Sequence, residues 1–209
     1  MKLHASVSVD VEFESSTFDL SVQKGTPAMT STLDRTSSSA AVGVEGTSSP
    51  AYDAGLLVLR VGLGLIMAAH GAQKLFGWFG GGGIEGTGQF FAMVGYPSGE
   101  AMALIAGLSE TLGGLALALG LLTPLAGAAV LGTMINAMAV KWGGGFFAPD
   151  GVEYELFLAV AAAGLTLTGP GRLAVDRFLP VLRVHRLTHG VAAVVLGAVV
   201  AGIVLLVRG

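Results

Sequence analysis

The sequence predicts an all-α, polytopic membrane protein: a four-helix bundle followed by one additional C-terminal transmembrane helix. Three observations predict it. First, 53% of the 209 residues are hydrophobic and only 12% are charged, about half the charged fraction of a soluble domain. Second, the apolar residues fall in five long blocks rather than scattering through one core pattern. Third, the blocks are bounded by helix punctuation, and a backbone in lipid must pair its polar groups internally.

Residues 1 to 50 precede the blocks. They are rich in Ser and Thr ("TSTLDRTSSSA", "VEGTSSP"), and "VSVDVEFE" alternates like a strand but has no apolar partner run nearby. The segment buries too little apolar surface to offset ordering entropy and reads as a disordered cytoplasmic tail. It lacks the basic-then-apolar order of a cleavable signal peptide. Met29 is a second candidate start, which N-terminal mass spectrometry would settle.

The blocks are Ala54–Gly77, Ser98–Leu122, Pro124–Trp142, Val152–Gly169 and His189–Val207. Each is close to the roughly 20 residues needed to cross hydrocarbon, the fourth being the shortest. Ser98 is placed to cap the second block, and Pro124 suits the first turn of the third. Gly120 and "GPG" at 169–171 end the second and fourth. Between the last two blocks stand Arg172, Arg177, Arg183 and Arg186, the densest basic cluster. By the positive-inside rule this loop is cytoplasmic, the N-terminus is inside and Gly209 is outside. Trp78, Trp142, Tyr96, Tyr154, Phe146 and Phe147 then mark the outer interface.

Composition also excludes. With no cysteine, disulfides, thiol catalysis, iron–sulfur clusters and Cys-ligated metals are ruled out. The four histidines form no spaced metal-binding set, and nothing points to nucleic acid. Any redox work needs a borrowed redox centre.

Three stretches then carry a resemblance: "LRVGLGLIMAAHGAQKLFGWFGGGGIEGTGQFFAMVGYP", "SETLGGLALALGLLTPLAG" and "GVEYELFLAVAAAGLTLTGPGRLAVD". In order from about Leu56 to Asp176, they resemble the DoxX family of bacterial integral membrane proteins, the closing "GPG…D" being the most specific piece. The resemblance implies a four-helix membrane domain over 54–178, with the helix at 189–207 additional. The family's name comes from a small subunit of an archaeal thiosulfate:quinone oxidoreductase, and relatives are linked to membrane oxidoreductase complexes that handle oxidative stress. The implied localisation is the bacterial plasma membrane. The tail and fifth span inherit nothing from the family.

Polar residues inside the blocks are the candidate site. On a helical wheel Glu110 shares its face with Ala103, Ala106, Gly107, Gly113 and Gly114, while Leu108, Leu112, Leu115 and Leu119 point the other way. Glu110 is therefore expected inside the bundle, paired or protonated. A structural ion pair and a functional carboxylate both account for it. The favoured partner is Arg60, about 7 Å toward the cytoplasm in an antiparallel arrangement and capable of bidentate binding; His70 and Lys74 are the alternatives. Arg60 and Glu110 form the expected intramembrane polar core. His70, Lys74, Asn136 and Glu153 form an expected outer pocket beneath the "GWFGGGGIEGTG" loop, which reads as a flexible lid or re-entrant turn followed by a short interfacial helix. Gln73, Lys141 and Glu155 lie at similar depth, Lys141 and Glu155 reading as surface rim. Asp176 is expected to cap or pin the turn after the fourth helix, with Arg172 or Arg177 close by, and His185 and His189 to be solvated or lipid-facing. Gly190, Ala193, Gly197 and Ala201 form a packing face on the last helix.

Three functions fit. The family resemblance implies an accessory, non-catalytic subunit of a quinone-linked oxidoreductase or oxidative-stress complex, with a quinone or small reductant in the outer pocket and no covalent cofactor. Intramembrane carboxylate, His and Lys on facing helices also suit a small-solute or proton-coupled permease. A scaffold recruiting a soluble redox enzyme is the third. Besides the lipid bilayer, the partners expected are a redox enzyme or a second copy of the chain.

Overall fold

The computed structural model describes residues 50–179 and 185–209. Residues 1–49 of the predicted tail and Arg183 of the basic loop lie outside the described residues, and Pro50, placed at the end of that tail, instead begins the first helix. Six α-helices follow one another: α1 (Pro50–Phe76), α2 (Gly83–Met93), α3 (Gly99–Leu119), α4 (Thr123–Lys141), α5 (Glu153–Thr168) and α6 (Leu187–Leu206). Three short 3₁₀ turns, at Trp78–Gly80, Trp142–Gly144 and Val175–Phe178, complete the described secondary structure.

Four helices are long and apolar enough to cross a membrane: α1, α3, α4 with its 3₁₀ extension to Gly144, and α6. The protein is thus a multi-pass membrane protein, all-helical over the described residues. The fourth predicted block becomes α5, whose 16 residues give only about 24 Å of helix against a hydrocarbon core of about 30 Å. Gly169, at φ 82°, ends it. Even so, α5 runs antiparallel beside α4 between the same two ends. At one end Lys141 pairs with Glu155, and toward the other Gly127 lies against Thr166. The end carrying Trp78, Trp142 and Tyr154 is called the aromatic end below, and that carrying Arg172 and Asp176 the arginine end.

The closest packing is between α1 and α3, which are antiparallel. Gly64 lies against the backbone of Gly114 and Ala118, and Gly71 against Gly107 and Thr111. Only small residues permit this approach, and it drives helix association where lipid removes the usual hydrophobic gain. Gly190, Ala193, Gly197 and Ala201 are all buried; Gly197 sits on Ala128 of α4 and Gly190 on Thr166 of α5. The α6 face expected from its small residues is therefore used within the bundle. Met67, Leu117, Val130, Leu158, Ala162 and Leu165 fill the centre.

Local punctuation holds with one exception. Pro124 stands in the first turn of α4, and Gly120, at φ 68°, terminates α3. Ser98 does not cap α3 through its hydroxyl. Its backbone is left-handed, at φ 50°, whereas a capping serine adopts extended angles that turn its oxygen toward the first N–H groups.

Candidate functional site

Glu110 lies on the small-residue face of α3 with Gly107, Gly113 and Gly114, and is 3% exposed. Its partner is not Arg60. Lys74 Nζ lies 2.6 Å from Glu110 Oε2. The reason is the direction in which helical side chains lean, back toward their own N-terminus. With Gly71 set against Gly107 and Thr111, Lys74 leans back to the level of Glu110. Arg60 leans away from it, toward the arginine end.

Arg60 serves that end instead. It is 2% exposed and donates to the carbonyls of Ala118, at 3.2 Å, and Leu173. Asp176 is also buried, and its carboxylate accepts from Leu122 N (2.7 Å), Thr123 N (3.0 Å) and Thr123 Oγ1 (2.9 Å). It thus caps α4 and fastens the turn after α5 to it. Arg60 and Glu110 do not form one polar core; they belong to opposite halves of the bundle.

The aromatic half holds the pocket. His70 Nε2 and Tyr154 Oη are hydrogen-bonded at 3.0 Å. Asn136 donates to Gly132 O and accepts from Tyr96 Oη, both at 3.0 Å. Lys141 Nζ meets Glu155 Oε1 at 2.9 Å. These groups border a cavity of about 550 Å³ in which His70, Lys74, Glu110, Asn136, Tyr154 and Glu155 are the main polar lining. The rest is chiefly apolar side chains of α3, α4 and α6. Four predicted residues are brought together: His70, Lys74, Asn136 and Glu110.

Glu153 is not among them. Its carboxylate accepts from Ala148 N at 2.8 Å and ties down the loop before α5. Glu155, expected at the rim, is buried. The sequence carries a signal for this: Glu155, Leu158, Ala159, Ala162, Leu165 and Thr166 recur at three- and four-residue steps, the buried stripe of α5. Glu153 lies off it.

The glycine-rich loop makes a close turn. Gly77, Gly80 and Gly83 have positive φ, and Gly81 tucks against the backbone of Gln73. The short helix expected here, α2, begins at Gly83, four residues before the predicted "TGQFFAMVG". Beside it a second cavity of about 320 Å³, lined by Gln73, Gly82, Thr87 and Phe90 among others, also reaches Lys74. Tyr96, at the aromatic end, is buried within the protein. Burial pushes its phenol above the usual range, and Arg208, 5.6 Å over the ring, pulls it partly back. His185 is half-buried, with Nε2 3.0 Å from Leu167 O, because Gly169 leaves room for the ring; His189 is exposed as expected. Among the described residues, no three His, Asp or Glu side chains gather into a metal-holding group.

The fold and this pocket define a multi-pass helical membrane protein with a mainly apolar chamber that carries a polar end. The DoxX family profile matches residues 55–142. A Bacillus subtilis (strain 168) protein named "Putative oxidoreductase CatD" is 35% identical over 129 residues, covering 61% of this chain and 89% of that protein. The chain belongs to the DoxX family. No solved structure matches it significantly.

Proposed function

We propose that this chain is an accessory membrane subunit of a quinone-linked oxidoreductase in the bacterial plasma membrane, and that its pocket takes a quinone. The observation that carries the reading is the pairing of apolar walls with a polar end where Lys74–Glu110 and His70–Tyr154 face one cavity. A cavity of about 550 Å³ falls in the range of small-molecule sites. A quinone ring is flat and apolar, with oxygens that accept hydrogen bonds, and Lys74, His70 and Tyr154 are donors grouped at one end of the cavity. Reduction to the quinol takes two electrons and two protons. A partner redox enzyme supplies the electrons, since this chain has no cysteine to hold a cluster. Protons pass from Tyr154 and Lys74, which border the chamber. Lys74 also borders the second cavity, a route by which it regains its proton. The relative's oxidoreductase name accords with this.

A permease has less support. Met67, Leu117 and Val130 are fully buried in the bundle centre, and at the arginine end Arg60 and Asp176 hold the helix ends together. Gentle purification from the native membrane tests the proposal. Quinone should co-purify with the chain together with a dehydrogenase, and Lys74→Met should lose the quinone. Solute accumulation by liposomes of the purified chain, with no quinone bound, would overturn it. A soluble partner without quinone would make the chain a scaffold.

A further inference from the structure

We infer that the pocket's ligand arrives from within the bilayer: its hydrophobic chain lies along α4 between α3 and α6, and its polar head sits at Lys74–Glu110. This rests on the quinone reading above and adds to it the route and the need for a chain. The juxtaposition that carries it is a pocket whose apolar rim is also lipid-facing surface. Ile105 of α3, Leu125 of α4, and Leu196 and Val200 of α6 all line the cavity, yet are 56%, 52%, 49% and 49% exposed. A mouth built of such side chains opens into hydrocarbon and would repel a water-borne ligand.

The floor of the groove is shaped for a chain. Leu125, Ala129, Gly132, Asn136 and Val140 of α4 line the cavity at three- and four-residue steps, one stripe about 22 Å long. Small residues at its centre leave the depth. The polar groups along this stripe are already engaged: Thr133 Oγ1 donates to Val130 O at 2.9 Å, and Asn136 is held by Gly132 and Tyr96. The groove therefore offers a chain a largely apolar surface, and Lys74, His70 and Tyr154 gather as donors at its inner end.

The aqueous side of the groove is strapped. Arg208 Nε donates to Val94 O at 2.8 Å, and Gly209 N to Gly95 O at 3.0 Å. The end of α6 is thereby tied to the turn between α2 and α3, with buried Tyr96 beneath it. The end of α6 thus covers the groove on that side, and the lateral mouth lies between α3 and α6.

The test uses the full chain in nanodiscs and two probes, the same benzoquinone ring with and without a decyl chain. Ile105→Trp combined with Val200→Trp fills the mouth. The decyl probe should lose at least about tenfold in affinity, while the tail-less probe, which needs only the inner end, changes less than about twofold. An unchanged decyl affinity, or an equal loss of both probes, overturns the inference but leaves the quinone reading standing. Failure of both probes to bind the unsubstituted chain defeats that reading and this inference together. If the double variant does not fold, a brominated decyl chain should quench the tryptophan of Val200→Trp in the groove more than that of Val199→Trp on the lipid-facing side. Equal quenching overturns the inference.

Discussion

Lys74 Nζ and Glu110 Oε2 stand 2.6 Å apart across the glycine-lined seam of α1 and α3. The carboxylate is nearly fully enclosed, while the lysine side chain keeps 23% of its exposure at the pocket edge. An ion pair of this kind tolerates the loss of both partners better than the loss of one, because a lone buried charge has no compensation. Lys74→Met should therefore lower bundle stability by about 3–5 kcal/mol. Lys74→Met with Glu110→Leu should recover much of that loss, whereas Arg60→Leu with Glu110→Leu should not. Melting temperatures in detergent read the comparison, and rescue by the Arg60 combination would refute the assignment.

Asp176 makes a second claim on stability, at the other end. Three donors of the α4 start converge on its carboxylate, and the site is buried. Loss of a capping side chain costs roughly 0.5–2 kcal/mol, and leaving buried donors unpaired adds about 1–3 kcal/mol. Asp176→Ala should therefore be more damaging than Thr123→Val, which removes only the hydroxyl contact. Asp176→Asn should fall between unsubstituted protein and alanine, since its amide oxygen still accepts. Equal melting temperatures for the asparagine and alanine variants would show that the carboxylate does not hold this end.

Much of this was legible from sequence. The five blocks, Gly120, Pro124 and the small-residue faces of α3 and α6 depend on local pattern, and local pattern survives folding. The partner of Glu110 was not legible because wheel positions give the face and level of a Cα, but not the direction a long side chain leans. Lys74 and Arg60 both sit on the correct stripe; only the register of Gly71 against Gly107 separates them. Glu155 was misplaced for a related reason. Its position next to Tyr154 at a helix start suggested a rim, although its spacing to Leu158 and Ala162 marked the buried stripe. The joining of α6 to the α2–α3 turn through Arg208 and Val94 is separated by more than a hundred residues, and no periodicity encodes it.

Glycine positions divide into two kinds, which substitution should separate. Gly120 combines φ 68° with a position where a Cβ would collide with the Arg60 guanidinium and with Ala174. Gly62 has nothing within 4 Å of where its Cβ would be and sits inside α1. Gly62→Ala should be neutral or stabilise the helix by up to about 1 kcal/mol. Gly120→Ala should destabilise by more than the roughly 1 kcal/mol of left-handed strain alone, because Arg60 must also give up its place. Comparable melting temperatures for the two variants would mean that Arg60 is not fixed against Gly120.

Whether α5 completes a crossing is decided by which sides its two ends occupy. The helix is short, at 16 residues, but it lies along α4 from Lys141 to Gly127. The exposed loop residue Phe147 precedes it at the aromatic end, and exposed Arg177 follows it at the arginine end. The basic cluster predicts that the arginine end is cytoplasmic. The absence of cysteine makes the chain its own background for labelling. In intact cells, Phe147→Cys should react with a membrane-impermeant maleimide, while Arg177→Cys should react only after permeabilisation. A reversed pattern would invert the orientation. Reaction of both sites from the same side would show that α5 turns back without crossing, leaving four spans and both ends of the described chain on one face.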